Sequence, residues 1–406
     1  MDGKQEILAL GACLTGRKRQ GTVRQCFVHR GIISAMEKII VYIIPVFLLL
    51  IVAEFTYGYV RGRNTYRLPD VLASMSQGVI SQLVALLTQL FQVGLYSLTY
   101  RAVAIFPAAR FWQGAFGWIA AILLFDFFDY WLHRFGHENA LGWAAHSVHH
   151  QSQDFNLSTA LRQESTVALL GWVFYLPMAI LGVEPEQFGI AGLVVLTYQF
   201  WIHTEHIGKL GWFDRVFSSP SNHRVHHAVN EQYLDKNYGG MLVIWDRMFG
   251  TFAEEKEKVV YGTRTPLNSW DPLWAVLSGY WQLLHSAATM PRWQDKLKIW
   301  FKAPGWRPAG MEPYPPFDLE AARRRYDVQL PRVRQWLSGL QFVGLLAAAS
   351  VLLWQADEQS YLHLLAISTA LLAGFWALGA YMQRRLGGAL VLAIDVAAAV
   401  AVYALI

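Results

Sequence analysis

Long apolar runs separated by short polar links dominate this chain. A helix needs about 20 mostly apolar residues to cross a bilayer, and eight stretches approach that length: Ile39–Tyr57, Ile80–Leu98, Trp112–Leu132, Val167–Leu181, Phe188–Trp201, Leu337–Trp354, Leu362–Met382 and Ala389–Ile406. The stretch Val71–Phe106 holds one tilted span plus an interfacial piece. Val167–Leu181 is short, and pairs with the next stretch as a helical hairpin that stops short of a full crossing. Residues 209–331 lack a long apolar run and mix Pro, Gly, Trp and charges. They predict a cap of short helices and loops over the membrane-embedded ends. Residues 1–35 carry Arg and Lys but no apolar core ahead of a small-residue cleavage site, so they read as a disordered tail rather than a signal peptide.

Loop charges orient the spans, because Lys and Arg concentrate in cytoplasmic links. Arg61, Arg63 and Arg67 follow the first span. Arg323, Arg324, Arg325, Arg332 and Arg334 precede the sixth, and Arg384 and Arg385 precede the last. Asp357 and Glu358 sit in the link between the sixth and seventh. All four agree when the basic links are cytoplasmic and the acidic one is outside. The tail residues Arg17, Lys18, Arg19 and Arg24 conflict with that parity. Either the tail is missing from the mature chain, or the span count before residue 133 is off by one. The fold class expected is an all-α integral membrane protein: a multi-span helical bundle with a histidine-rich cap facing the cytoplasm.

Composition narrows the picture. Only 16% of the 406 residues are charged and 54% are hydrophobic, against roughly 25% charged in soluble domains. A wholly water-soluble protein is excluded. The net charge of +5 forms no basic stripe clear of the apolar segments, so nucleic acid is not an expected partner. The two cysteines, Cys13 and Cys26, both lie in the tail. They provide neither a disulfide framework nor a thiolate metal site for the body.

Ten of the 13 histidines fall between His133 and His227. They form His133-x-x-x-His137, His146-x-x-His149-His150 and His223-x-x-His226-His227, with His203 and His206 between the last two. On a helix, positions i, i+3 and i+4 share a face, so each cluster is expected to offer two or three imidazoles to one point. Eight such ligands are too many for one metal ion and suit two. Imidazole serves iron, zinc and copper. Asp126 and Asp129 lie seven and four positions before His133. Metal-bound histidines commonly donate their other N–H to a carboxylate or carbonyl, which makes Asp129, and then Asp126, candidate supports for His133. His29, His285 and His363 read as isolated residues. Asn156, Gln163 and Asp246 are either supports for the clusters or ordinary loop and cap residues. Arg134 and Arg224 either bind an anionic or polar ligand such as phosphate or snorkel to headgroups. Phe127, Phe128, Tyr130, Trp131 and Phe135 either line the approach to the site or form an interfacial aromatic belt. Asp395, in the last span, reads as a neutral, helix-paired carboxyl.

These three clusters in a multi-span chain resemble the fatty acid hydroxylase and sterol desaturase superfamily of membrane non-haem di-iron oxygenases. The flanking runs Asn156–Gln163, Tyr198–Glu205, Asp235–Gly240, Ile244–Phe252 and Glu257–Gly262 are similar to its ether-lipid-cleaving branch, the alkylglycerol monooxygenases. The likeness covers about Glu37 to Trp306 and continues loosely through three C-terminal spans. It implies residues 36–331 as the membrane catalytic unit and 332–406 as a C-terminal three-helix segment. It also implies a tetrahydrobiopterin-dependent hydroxylation of the ether α-carbon of an alkylglycerol, giving a hemiacetal that falls apart to fatty aldehyde and a glycerol derivative. Under that resemblance the eight cluster histidines are ligands to two iron ions and His203 is a ninth; His206 has no counterpart in the pattern. Glu138, Asp129 and Asn156 become candidate catalytic residues, with Glu138 either a pterin contact or a solvated helix-end charge.

No Gly-x-Gly-x-x-Gly follows a strand pattern and no iron–sulfur cysteine set is present, so electrons come from an external donor. The partners expected are a lipid substrate, the membrane, O₂ and that donor. Two alternatives stay open. One is a sister oxygenase acting on a sterol, fatty acyl chain or carotenoid. The other is a metal transporter or zinc-dependent hydrolase, although a transporter would place its ligands near the bilayer midplane between repeats.

Overall fold

The apolar runs fold as helices in the computed structural model, which describes residues 20–107 and 109–405. The principal helices are α1 (Gln20–Val60), α2 (Leu68–Val103), α3 (Ala115–Glu138), α4 (Ala140–His150), α5 (Val167–Leu181), α6 (Pro185–Trp201), α7 (Pro220–His226), α8 (Pro272–Thr289), α9 (Arg332–Trp354), α10 (Tyr361–Met382) and α11 (Gly388–Leu405). Five segments among the described residues are long and apolar enough to span a membrane: Val41–Val60, Leu68–Thr88, Ala115–Glu138, Arg332–Trp354 and Tyr361–Met382. The remaining expected spans are shorter. Helices α5 and α6, of 15 and 17 residues, rise about 22 and 26 Å against a hydrocarbon core of about 30 Å. They form the short hairpin that their lengths predict. Gly182 turns it with φ +98°, and a side chain there would meet the Phe106 carbonyl oxygen at 2.4 Å.

Two helix starts differ from expectation. Helix α2 begins at Leu68 with a proline in its first turn, the one helical position where the missing N–H costs nothing, and runs to Val103, so Ile80–Leu98 lies inside one longer helix. Helix α1 begins at Gln20, inside the stretch expected as a disordered tail. Residues 1–19, with Cys13 and the cationic Arg17, Lys18 and Arg19, lie outside the described residues, as do the side chains of Arg24, Cys26 and His29.

Helix α2 is the common wall of two apolar cores. On one side Leu72, Ile80 and Leu83 pack with Phe342 and Leu352 of α9 and Ile367 and Phe375 of α10. Further along, Tyr96 packs with Ala121 of α3, Tyr175 and Met178 of α5 and Phe188 of α6. Asp395 of α11 accepts from Gln341 of α9 at 2.9 Å, a helix-paired carboxyl as expected.

The basic links gather at one end of the bundle. Arg67 and Arg325 both pair with the buried Asp154, at 2.8 and 2.6 Å, and Arg334 donates to the Tyr381 carbonyl at the end of α10. At the opposite end, Trp354, next to the acidic link, packs edge-on against Tyr42 of α1. The cap sits at the basic end. It is mostly loops and short helices, with one longer element, α8, whose Leu283 and Ala287 pack on Ala140 and Ala144 of α4.

Candidate metal centre

Three helix ends and one loop converge where the bundle meets the cap. Helix α3 delivers His133 and His137 at its C-terminus. The chain then reverses at a single residue, Asn139, whose side chain caps α4 by accepting from the Leu141 and Gly142 N–H groups. That corner lays α4 back across the end of α3. His203 follows the last turn of α6. Helix α7, capped by Ser219 and opened by Pro220, carries His223 and His226, and His227 closes it.

The nine rings divide into two groups. His133, His137, His146, His150 and His226 form one; His149, His203, His223 and His227 form the other; within each, the ligand nitrogens lie within 4.8 Å of one another. The groups abut, His150 and His227 stacking at 4.3 Å between ring centres. The clusters therefore do not each aim at one point, as their spacing suggested. Positions i and i+4 stay together, as in His146 with His150 and His223 with His227. The i+3 ring, His149 or His226, lies on the other flank of its helix and joins the other group. Both groups thus draw on the second and third clusters, which ties their geometries together. His206 joins neither group; it packs edge-on against Tyr57.

Backbone carbonyls set the tautomers. Nδ1 of His133 meets the Tyr238 carbonyl at 2.7 Å, His149 that of Arg162 at 2.8 Å, His203 that of Gln199 at 2.8 Å and His226 that of Lys236 at 3.1 Å. A carbonyl only accepts, so Nδ1 donates and Nε2 carries the lone pair. His146 Nδ1 instead pairs with the Glu164 carboxylate.

The inward nitrogens fit a cation. Nε2 of His133, His137 and His226 are buried without a hydrogen-bond partner, a costly arrangement for groups left unpaired. In the second group Nε2 of His203 faces Nε2 of His149 at 3.3 Å, and both are lone-pair nitrogens by the tautomer argument. His203 and His223 approach to 2.9 Å, as do His146 and His150. Two imidazoles on one first-row metal at about 2.1 Å, subtending 90–109°, would bring their nitrogens about 3.0–3.4 Å apart. The observed spacings match that requirement. Burial takes His149 down to about 4, against the pull of Glu164. It holds His150, His203, His223, His226 and His227 well below the usual imidazole range, and neighbouring rings add to the effect. These rings are neutral, as metal ligation requires. Burial would raise Glu164, but the charge and hydrogen bond of His146 outweigh it and hold the carboxyl below its usual range.

The expected carboxylate support for His133 is not formed. Asp129 lies one helical turn deeper and accepts from Tyr175 at 2.9 Å and Gln199 at 3.3 Å; the Tyr238 carbonyl takes its place on His133. Asp126 accepts from the Met241 and Leu242 N–H groups and the Trp245 indole, holding the cap loop to α3. Gly240 passes so close that a side chain there would meet Gln199 and Asp129 at 2.8 and 3.0 Å. Asn156 caps the short helix Leu157–Ala160 and donates to the Thr65 carbonyl. Gln163 lines the cavity described below and donates to the Ala160 carbonyl. Glu138 stands at the rim, paired with Arg134 at 2.9 Å and accepting from the Tyr238 hydroxyl at 3.3 Å. Arg224 is not free for phosphate, since it is held by Glu255 and by the Thr204 and Ile207 carbonyls. Asp246 accepts from the Tyr238 and Gly239 N–H groups, fixing the strained turn that presents the Tyr238 carbonyl. Glu164 and Tyr238 were missed as supports. Glu164 directly follows the polar run Asn156–Gln163, and that adjacency was the one available signal.

A cavity of about 300 Å³ leads away from the histidines, at the lower end of ligand-pocket volumes. Its inner end presents His133, His149 and His203 with Gln163, Gln199 and Glu164. Beyond them its walls are largely apolar, with Gln82, Gln92, Thr197 and Ser350 among them, and come from α1, α2, α5, α6 and α9. None of Phe127, Phe128, Tyr130, Trp131 and Phe135 lines it. Phe127 and Trp131 pack against Trp245 and Phe249 instead.

Comparison with known proteins agrees with this geometry. Residues 118–251 match the family Fatty acid hydroxylase. The chain is 38% identical over 265 residues to alkylglycerol monooxygenase of Homo sapiens, covering 65% of this chain and 59% of that protein. It is 39% identical over 269 residues to alkylglycerol monooxygenase of Danio rerio, with the same two shares. Ornithine lipid hydroxylase OlsE of Rhizobium tropici is 30% identical over 142 residues, 35% of this chain and 43% of that protein. The matched part spans about three-fifths of the length of the alkylglycerol monooxygenases. No solved structure matches.

Proposed function

We propose that the chain, whose residues 118–251 match the fatty acid hydroxylase family, is a membrane di-iron monooxygenase acting on alkylglycerols. The observation that carries this reading is the convergence of nine imidazoles into two abutting groups at one end of a largely apolar cavity. His133, His137, His146, His150 and His226 would hold one iron ion, and His149, His203, His223 and His227 the other. Bound iron supplies the activation of O₂ that attack on an unactivated C–H bond demands.

The protein's share is placement and support. The alkyl chain lies along the apolar walls, which exclude water from the reacting carbon. The glycerol head stays at the polar end, where Gln163 and Gln199 present amide groups. That arrangement sets the ether α-carbon beside the histidines. One O₂, two electrons and two protons convert its C–H bond to C–OH and one water. The resulting hemiacetal loses its C–O bond to glycerol, giving fatty aldehyde. The electrons come from an external donor, tetrahydrobiopterin, on the strength of the likeness to the alkylglycerol monooxygenases. Glu138, at the rim and linked through Tyr238 to His133, is its proposed contact. Asp129 acts through Gln199, keeping that amide turned toward the cavity, and Asn156 keeps its place by capping the helix before Gln163. The basic links at the histidine end favour a cytoplasmic site, and residues 36–331 would form the catalytic unit with 332–406 an added helical segment.

The test is purified protein in detergent with an alkylglycerol, O₂ and reduced pterin, measuring aldehyde, with pterin omitted as control. Pterin-dependent aldehyde supports the reading. A stable alcohol or alkene from a sterol or acyl lipid, with no aldehyde from the ether, would assign the chain to a sister activity.

A further inference from the structure

We propose that α9, which contributes no metal ligand and lies outside residues 118–251, is the ruler that sets the alkyl chain length accepted by the cavity; this rests on the lipid-oxygenase reading above. Phe342, Leu346, Ala349, Ser350 and Leu353 all line the cavity. Their spacing, i, i+4, i+7, i+8 and i+11, places them on one face of the helix. The opposite face, with Val351 44% exposed, points away from the bundle. The stripe runs over 12 residues, about 16 Å along the helix axis from Phe342 to Leu353. It therefore follows the cavity lengthwise rather than touching it at one point.

The direction of the stripe is fixed by contacts at both ends of α9. Arg334 donates to the Tyr381 carbonyl at the histidine end of the bundle, while Trp354 packs on Tyr42 at the other end. Leu353 therefore stands at the floor, beside Ile43 and Ile44 of α1, which line the same cavity. A lipid whose head is held at the histidines has only one direction in which to extend. Its terminal methyl approaches Ala349, Ser350 and Leu353. Two of these residues are small, and the Ser350 hydroxyl turns back onto the Leu346 carbonyl at 2.8 Å, so it adds little polarity to the cavity. The floor is adjustable by single side chains, while the histidines remain more than two helical turns away along the span.

The experiment uses the full chain with a mixture of alkylglycerols of graded chain length competing in one reaction, the aldehydes being quantified individually. Each methylene kept from water is worth about 0.8 kcal/mol, or about fourfold in binding. Ala349→Leu adds three carbons at the floor. It should lower kcat/KM for the longest chains relative to shorter ones by at least about fourfold, and by about 60-fold if all three methylenes are displaced. Leu353→Ala, which deepens the floor, should move the optimum to longer chains. Val351→Ala, on the outer face, should leave the profile unchanged. Iron content and thermal midpoint confirm that each variant is folded, and Leu353→Ala decides the matter if Ala349→Leu does not accumulate. Unchanged length profiles in both floor variants, with the parent active, overturn the ruler while leaving the activity in place. If the parent produces no aldehyde, it is the functional reading that fails. The chain lengths of co-purifying lipids, measured by mass spectrometry, must then still shift in opposite directions in the two variants, or the ruler falls too.

Discussion

Removing the Glu164 carboxylate should weaken one of the two metal positions selectively. Glu164 accepts from Nδ1 of His146, where four of the other grouped histidines meet a backbone carbonyl. In Glu164→Ala, His146 Nδ1 is left buried and unpaired and the ring is free to adopt the other tautomer, which turns an N–H toward His150. A hydrogen bond to a charged group contributes about 1.5–3 kcal/mol, equivalent to about 10–150-fold in an equilibrium constant. Loss of such supports typically costs metal ligands 10–100-fold in affinity. The group containing His146 should therefore lose iron at about 10–100-fold lower chelator concentration than in the parent. The other group keeps its Arg162 and Gln199 carbonyl supports and should retain its metal. Chelator titration with iron counted per chain checks this: a two-step release in Glu164→Ala, and a smaller displacement in Glu164→Gln, whose amide oxygen still accepts from Nδ1. Iron release indistinguishable from the parent would refute the assignment of Glu164 as the support of His146.

Three further outcomes follow from the same geometry. His226→Ala and His149→Ala should each abolish turnover while the protein still inserts in membranes. The first should deplete iron from the five-histidine group and the second from the four-histidine group, read by metal analysis on detergent-purified protein. Glu54→Ala should lower stability by about 2–4 kcal/mol, because the buried Glu54 carboxylate accepts from Tyr66, Thr204 and the Leu157 N–H and its loss strands three donors; a thermal midpoint within a degree of the parent would contradict this. Gly182→Ala should destabilise the α5–α6 hairpin by about 1–3 kcal/mol, since the residue combines positive φ with a close carbonyl neighbour, again read from the thermal midpoint.

The histidine clusters were legible because each is local: i, i+3 and i+4 spacing is a property of the segment itself. The spans were legible for a similar reason, since apolar length is a property of the segment. What spacing could not show was the partition of His149 and His226 into the opposite groups. That depends on how α4 and α7 face each other across the corner at Asn139. The supports were misread for the same reason. Asp129 lies on the same helix as His133 and looked like its partner, yet the carbonyl that holds His133 comes from Tyr238, 105 positions away. The part of α9 in the cavity was equally invisible, because a uniform apolar stripe reads the same whether it faces lipid, core or substrate. The short hairpin shows the converse: Val167–Leu181 was recognisable as too short from length alone, and the helix has those bounds.

Metal analysis of the purified full-length chain is the most direct test. Two iron ions per chain, reducible and reoxidised by O₂, are the predicted result. A chain that binds a single ion, or that fills both histidine groups with zinc and shows no redox response, would contradict the di-iron account.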